Sequence, residues 1–503
     1  MNVYKGRRKD ILKWLIVAFG FFIRFWQLGR QSFWVDEIKS LGMFKSPPSD
    51  ISYFRKFLWD VHAPLYSLLL HFWSMVSESE FWLRTPSALA GGISVLFLYK
   101  WLKERFNEKA ALTGSLFLAI SPFSLYYSQE LRAYAMLTLF VILSLIAFRR
   151  FDIKPNLKSA AALGFVLALT CLIHTSALLL CIGLFVYSVA AGKLKGNYLR
   201  YGFGAVLIIV VILSPWIYRE ITYLQSIEIK NIASSSAGDK LRGDLTLNIW
   251  SYPYILYAFA SGYSFGPSLR ELHSITSAIE LIKDFKMELG IVYLLFGGVL
   301  ISGYLKLRRF KLLLFFLVIP VCVILSLTII VLYNIKVFNV RYLTVLFPFF
   351  IALLSTGLPL GSSKYNFVII LLVVPMLVSD FNYFTNDKYS RDNIRGAVEI
   401  IRENEIQGDI ITLIGVNEGF DHYYRGENTK VRIFPSDSGL DVDIGKISRI
   451  TEKADRVWLF KCREWARMTD DPVTEIYSRR MKKVKEWKLS GIKLFLFKND
   501  PDK

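Results

Sequence analysis

Cysteine and histidine are scarce in this 503-residue chain, with four and five of them. Cys171, Cys181, Cys322 and Cys462 are scattered, three of them in apolar runs, which argues against a disulfide framework or a metal cluster as the organising element. There is no aromatic RNP-type motif and no zinc-ligand spacing. The surplus of 61 Lys and Arg over 41 Asp and Glu therefore does not read as a nucleic-acid surface. No small-x-small cleavage site follows the basic start and apolar run of residues 1–25, so this stretch is expected to be an uncleaved first span. Internal repeats are not evident either, which weighs against a transporter built from repeated halves.

What the chain has in abundance is apolar residue: 53% of it, with 15% aromatic. That is more than one soluble core can bury, so lipid must be its main solvent. Windows of the roughly 20 residues that cross a bilayer core recur from Ile11 to Phe381. They predict about eleven spans, near 11–28, 83–101, 110–127, 132–150, 158–174, 176–191, 203–218, 287–307, 311–333, 342–360 and 364–381. Lys5, Arg7, Arg8 and Lys9 place the N-terminus in the cytoplasm by the positive-inside rule. The basic loops around Lys103 to Lys109, Arg149 to Lys154, Lys193 to Arg200 and Lys306 to Arg309 then fall on the same side.

Three segments on the opposite side are too long to be connectors: about 29–82, about 219–286, and the tail from about 382. The second, with serines at 234–236 and the stretch Gly262 to Pro267, reads as a loop able to close over a substrate. The tail turns soluble. A helical pattern at 391–404, β-rich runs at 409–414 and 456–460, a charged helix around 473–483 and another β run at 492–497 predict a small extracytoplasmic α/β domain. The expected domains are thus 1–381 in the membrane and 382–503 outside it. The tail has no phosphate-binding glycine loop and reads as a partner- or acceptor-binding module.

Four constellations carry candidate chemistry. Asp36 and Glu37 are adjacent carboxylates directly after the first span. A partly dehydrated carboxylate can take a proton from a hydroxyl; the alternative is a helix cap at Asp36 with Glu37 in the first turn. Tyr126-Tyr127-Ser128-Gln129-Glu130-Leu131-Arg132-Ala133-Tyr134 loads a short turn between spans with an acid, a cation, an amide and three tyrosines. Glu130 could bind a metal or orient an acceptor and Arg132 could pair with a phosphate or with Asp36, or Arg132 could form a structural bridge to a carboxylate with the tyrosines as an interfacial belt. In His62-Ala63-Pro64-Leu65-Tyr66, Pro64 is suited to start a helix, with His62 near its cap as a phosphate or metal contact or a structural residue. Lys336, Arg341 and Tyr342 form the fourth group. Two cations against the positive-inside bias suit a polyprenyl phosphate, or else snorkel at helix ends. His71 reads as structural, and His174, at the end of the fifth span, as a weaker candidate.

Taken in order, Trp34-x-Asp36-Glu37, His62-x-Pro64-Leu65-Tyr66, Arg84 before a small-residue span, Ser121-Pro122-Phe123 leading to Tyr127-Ser128-Gln129-Glu130-x-Arg132-x-Tyr134, and Arg341-Tyr342 with Pro348 resemble the GT-C glycosyltransferases related to protein O-mannosyltransferases and lipid A aminoarabinose transferases. The likeness covers the membrane region to about Phe381. Ala63 stands where that family has the first proline of His-Pro-Pro-Leu. The resemblance implies a polytopic helical GT-C fold in the plasma membrane. It also implies inverting transfer of a sugar from a polyprenyl-phosphate donor to a protein, glycolipid or cell-envelope glycan. In it Asp36 would be the general base, Glu37 its support and Glu130 the second acid. Arg132, Lys336 and Arg341 would hold the leaving phosphate, with His62, Tyr127, Gln129, Tyr134 and Tyr342 also meeting substrate. A divalent cation, Mg or Mn, shared by Asp36 and Glu130 is optional. The rival expectation is a flippase for lipid-linked sugar, whose polar groups would be expected at mid-membrane.

Overall fold

The structure is a computed structural model that describes residues 2–44, 63–226, 249–275, 277–332, 338–359, 363–415, 419–433, 444–462 and 472–499. The chain forms two compact units: residues 1–28 with 43–383, and residues 29–42 with 384–503. The second boundary lies two residues from the expected one. The short stretch carrying Asp36 and Glu37, however, goes with the tail and not with the membrane region.

In the first unit every regular element among the described residues is helical. Six helices are long and apolar enough to cross a membrane: Glu80–Arg105, Gly196–Tyr218, Lys286–Leu305, Phe310–Leu332, Val340–Gly357 and Tyr365–Thr385. Glu108–Ala119 and Pro122–Ser128, bent by 54° at their junction, make a seventh if taken as one span. Leu157–Ile173 and Ala177–Ala190 are apolar but have only 17 and 14 residues, fewer than a straight crossing of the hydrocarbon needs. Two more of the eleven expected spans fall on the helices Asn2–Phe25 and Tyr134–Ile153. Phe203, Val206, Leu207, Val210 and Val211 are at least half exposed along one helix, a surface that lipid solvates and water does not. The protein is a multi-pass membrane protein.

The bend at residues 120–122 has a specific cause. Pro122 occupies the first turn of its helix, where a missing N–H costs nothing, and Ser121 caps it by accepting from Ser124 N–H at 3.2 Å. The break frees the last carbonyls of the preceding helix inside the protein, and such groups need donors. Arg24 supplies them. Its Nη1 donates to Ala119 O at 3.0 Å and to Gly20 O at 2.8 Å. Its Nη2 donates to Leu118 O and Ser124 Oγ, both at 2.9 Å, and its Nε to Ser128 Oγ at 3.2 Å. The guanidinium is fully buried.

Room for this side chain comes from Gly91. A Cβ there would stand 2.1 Å from Ser128 Oγ and 2.7 Å from Arg24 Nε. The neighbouring Gly92 likewise lets Phe21 approach, since a Cβ would meet that ring at 2.5 Å. The small-residue span is therefore a docking face for the first helix.

The second unit is a mixed five-stranded sheet in the order β2-β1-β3-β5-β4, where β1 is Ile410–Gly415, β2 Thr429–Ile433, β3 Arg456–Cys462, β4 Met481–Leu489 and β5 Ile492–Asn499. β1 pairs in parallel with β2 and β3, while β5 runs antiparallel to β3 and β4. Ile394–Asn404 packs on one face with Ile411, Leu413, Trp458 and Phe460. Ile444–Lys453 and Pro472–Arg480 cover the other, against Leu459, Phe495 and Phe497. The charged helix expected to run to 483 stops at Arg480, and residues 481–489 are the edge strand β4. Its exposed lysines 482, 483, 485 and 488 give it the charge density of a solvated helix, but they are also what keeps an open sheet edge from pairing with another chain.

Gly91→Ala is expected to lower stability by about 1–3 kcal/mol through overpacking, read as a reduced Tm in detergent. Gly42→Ala, whose Cβ would meet nothing within 4 Å, is the matched control and should not lower it.

Candidate active site

The polar turn between Pro122–Ser128 and Tyr134–Ile153 is held from three directions. Arg24 binds Ser128 from the first helix. Gln129 caps that same helix in return, its Nε2 donating to Trp26 O at 2.7 Å and Arg24 O at 3.1 Å. Ser87 Oγ donates to Arg132 O at 3.0 Å and bonds the Tyr66 hydroxyl at 2.8 Å. Pro64 starts the helix Pro64–Ser74 as expected, and this helix brings Tyr66 to that bond. Arg84 adds a bond from its Nη1 to Leu28 O at 3.0 Å. Glu130, at 1% exposure, and Arg132, at 9%, are thus fixed in a turn that has almost no solvent.

Around this turn the aromatic rings form a continuous wall. Tyr127 stacks edge-on against Tyr134 at 4.9 Å, and its hydroxyl bonds that of Tyr263 at 2.8 Å. Gly262, at φ +64°, makes the second contact possible. A Cβ there would come within 2.8 Å of Pro122, so only glycine lets the chain at 262–263 lie on the Pro122 turn. Arg341 lies on the first turn of the 3₁₀ segment Val340–Leu346, where Asn339 Oδ1 accepts from its backbone N–H at 3.2 Å. Its guanidinium sits 5.8 Å from the Tyr134 ring and 5.7 Å from that of Tyr342, within cation–π range. The charges of Arg341, Arg132 and Glu130 all act on the Tyr134 hydroxyl. One acid, two arginines and the tyrosines 127, 134 and 342 therefore share one neighbourhood in the first unit.

Asp36 and Glu37 are described within the second unit. The helix Val35–Phe44 begins after Trp34, and Glu37 at its third position reaches back to accept Trp34 N–H at 3.2 Å, half of a capping box. The same carboxylate pairs with Arg391 Nη1 at 3.2 Å, and Glu37 is fully buried. Ser32 Oγ bonds Asp392 O at 2.7 Å, Tyr423 holds Phe33 N–H at 2.7 Å, and Gln31 accepts Arg391 N–H at 3.1 Å. The capping role foreseen for Asp36 thus belongs to Glu37. Asp36, at the second helical position, is half-buried and favoured as an anion by the helix dipole.

His62 and Lys336, and the serines at 234–236, lie outside the described residues. His71 is buried. Among the described residues no group of three or more His, Cys, Asp or Glu side chains could hold a metal ion. An apolar cavity of 120 Å³ between Trp250, Tyr254, Tyr257, Leu289 and Tyr293 offers almost no polar wall for sugar chemistry. Sequence reasoning missed Arg24, Tyr263 and Arg391. A lone arginine inside an apolar span was the available signal for the first; the other two lie far along the chain from the groups they hold.

Glu37→Ala should cost about 3 kcal/mol, because it removes the buried carboxylate from its ion pair with Arg391. Asp36→Asn should leave Tm near wild type. Thermal unfolding of the two variants side by side checks this, and replacing Glu37 and Arg391 together by Met should recover most of the loss.

The sequence profile of the dolichyl-phosphate-mannose-protein mannosyltransferase family matches residues 61–218. No curated protein matches the chain in sequence. Among solved structures, ArnT from Cupriavidus metallidurans in the apo state superposes with a TM-score of 0.58 at 11% identity, over 96% of this chain and 97% of that one. The same protein bound to undecaprenyl phosphate gives 0.56, also at 11% identity and with the same coverage. The Archaeoglobus fulgidus oligosaccharyltransferase tethered with an acceptor peptide gives 0.50 at 11% identity, over 99% of this chain and 75% of that one. The mannosyltransferase-like segment and the shared fold together make the chain similar to membrane glycosyltransferases of the GT-C type.

Proposed function

We propose that the protein transfers a sugar, with inversion, from a polyprenyl-phosphate donor to an acceptor on a protein, a glycolipid or a cell-envelope glycan, at the outer face of the plasma membrane. The reading includes eleven crossings, a cytoplasmic N-terminus and an extracytoplasmic tail. One observation carries it above others: a desolvated cluster in which Arg132 and Arg341 stand beside Glu130 and a tyrosine wall.

The chemistry needs two things. An acceptor hydroxyl attacks the anomeric carbon from the face opposite the phosphate, so a base must take its proton as the new bond forms. The bond from that carbon to the phosphate oxygen breaks, and the departing lipid phosphate gains charge that fixed cations must meet. Asp36 is assigned the base role on its place in the Trp34-x-Asp36-Glu37 pattern and on its half-buried position in the first turn of the helix Val35–Phe44. Glu37 supports it by fixing the helix start. Arg132, Arg341 and Lys336 are assigned the phosphate, and Glu130 orients its neighbours as the second acid. Tyr127, Tyr134, Tyr342 and His62 are assigned to substrate contact. Gln129 spends its amide on backbone carbonyls and is assigned to holding the turn. An optional Mg or Mn ion on Asp36 and Glu130 would add positive charge at the phosphate; no step requires it.

A panel of polyprenyl-phosphate sugars with radiolabelled sugar, offered to the purified protein, tests this. Wild type should transfer label, and Asp36→Asn should lose about 100-fold or more, the usual weight of a positioned base. Wild-type rates from Asp36→Asn would remove the base assignment. Label carried across liposomes without transfer would favour the flippase, and insensitivity to chelator would dispense with the metal.

A further inference from the structure

β4 and β5 form a hairpin closed by Ser490 and Gly491, the latter at φ +73°. The two strands carry six lysines, Lys482, Lys483, Lys485, Lys488, Lys493 and Lys498, against one acid, Glu486, and all six are exposed. Glu486 pairs with Lys483 at 3.0 Å and with Lys488 at 3.8 Å. Charge on β4 protects an open edge. That reason does not extend to β5, an interior strand paired on both sides. The register moreover sets Lys482 opposite Lys498 and Lys488 opposite Lys493, and like charges directly opposite lower stability. An anionic partner would offset that repulsion.

The place of the hairpin in the chain points to which anion. Ser490 O accepts the backbone N–H of Asn393 at 2.8 Å, and Ser490 Oγ donates to Ser390 O at 3.1 Å and to Asp387 O at 3.3 Å. Asp387 follows Thr385, the end of the last apolar helix, by two residues. The turn of the hairpin is therefore tied to the stretch of chain that leaves the lipid. From there the lysines run along β4 for about 30 Å and on both faces of the sheet, which suits a charged plane met edge-on and not a single anionic group. Between Lys483 and Lys485 a shift of register bulges the strand and leaves Val484 54% exposed among the cations, an apolar side chain suited to the headgroup region.

We propose that the β4–β5 hairpin is a membrane-docking edge that binds anionic lipid headgroups beside the last span. Each lysine near a negatively charged leaflet adds to the attraction, and the effect fades within a Debye length, so the edge must lie on the headgroups themselves. The unit anchored in this way is the one that carries Asp36. Docking is independent of which sugar or acceptor the protein uses.

Amide hydrogen exchange on the full-length protein tests this, in nanodiscs of phosphatidylcholine alone or with about 30% phosphatidylglycerol. Exchange across residues 482–488 should be about tenfold slower in the anionic discs, and about 0.5 M salt should remove the difference. Lys482→Gln, Lys485→Gln and Lys488→Gln in one chain should also remove it, at about fivefold per lysine in the docking equilibrium, without lowering Tm. Lys483 is kept in that variant because it holds Glu486. Arginine at the same three positions should preserve the difference. Exchange in β3, inside the same sheet, monitors the fold and should not change. Equal exchange in both lipids would overturn the proposal, as would a difference that survives both salt and the triple Gln variant. Protection by added polyglutamate in phosphatidylcholine discs, with none from phosphatidylglycerol, would overturn it in favour of an acidic polypeptide partner. If the Gln variant fails to fold, the salt arm on wild type decides.

Discussion

A guanidinium buried in a membrane protein is tolerable only where every N–H finds an acceptor, and the first unit is organised around one such case. Arg24 spends its donors on Gly20 O, Leu118 O, Ala119 O, Ser124 Oγ and Ser128 Oγ. Two of those acceptors exist only because the helix breaks before Pro122, so the break and the arginine stabilise one another. Gln129 returns the contact by capping the end of the helix that carries Arg24. Remove the arginine and the carbonyls at the break, the Ser128 hydroxyl and the turn with Glu130 and Arg132 lose a common anchor. A site that must stabilise charge in a dry pocket needs this kind of rigidity, because donors that reorganise during the reaction contribute less.

The second unit uses the same device on a smaller scale. Glu37 is locked by Trp34 N–H and Arg391, so the helix that presents Asp36 starts at a fixed residue. Adjacent carboxylates thus divide into one that is structural and one that is half-open.

Much of this was legible in the sequence because the constraints were local. Pro64 and Pro122 announce helix starts, apolar windows announce spans, and β-branched and aromatic runs announce β1, β3 and β5. Long-range partners were not legible. Nothing near Gln129 says that its amide will cap residues 23–26, and nothing near Glu37 points to Arg391, 354 positions away. The helix expected around 473–483 overran its end at Arg480 into the start of β4 because charge density reports solvent contact without reporting period. Among the described residues six helices, or seven with the bent pair, have the length and hydropathy of a full crossing, and hydropathy registers the 14- and 17-residue apolar helices much the same.

The central claim is that the turn pinned by Arg24, with Arg341 beside it, holds the phosphate of a lipid-linked donor. An experimental structure of the full-length protein with a polyprenyl phosphate bound tests it most directly. The account predicts phosphate oxygens within hydrogen-bonding distance of Arg341 and of Arg132 or Tyr134, with the Arg24 bonds unchanged. A phosphate bound elsewhere, with this corner filled by side chains alone, would contradict it.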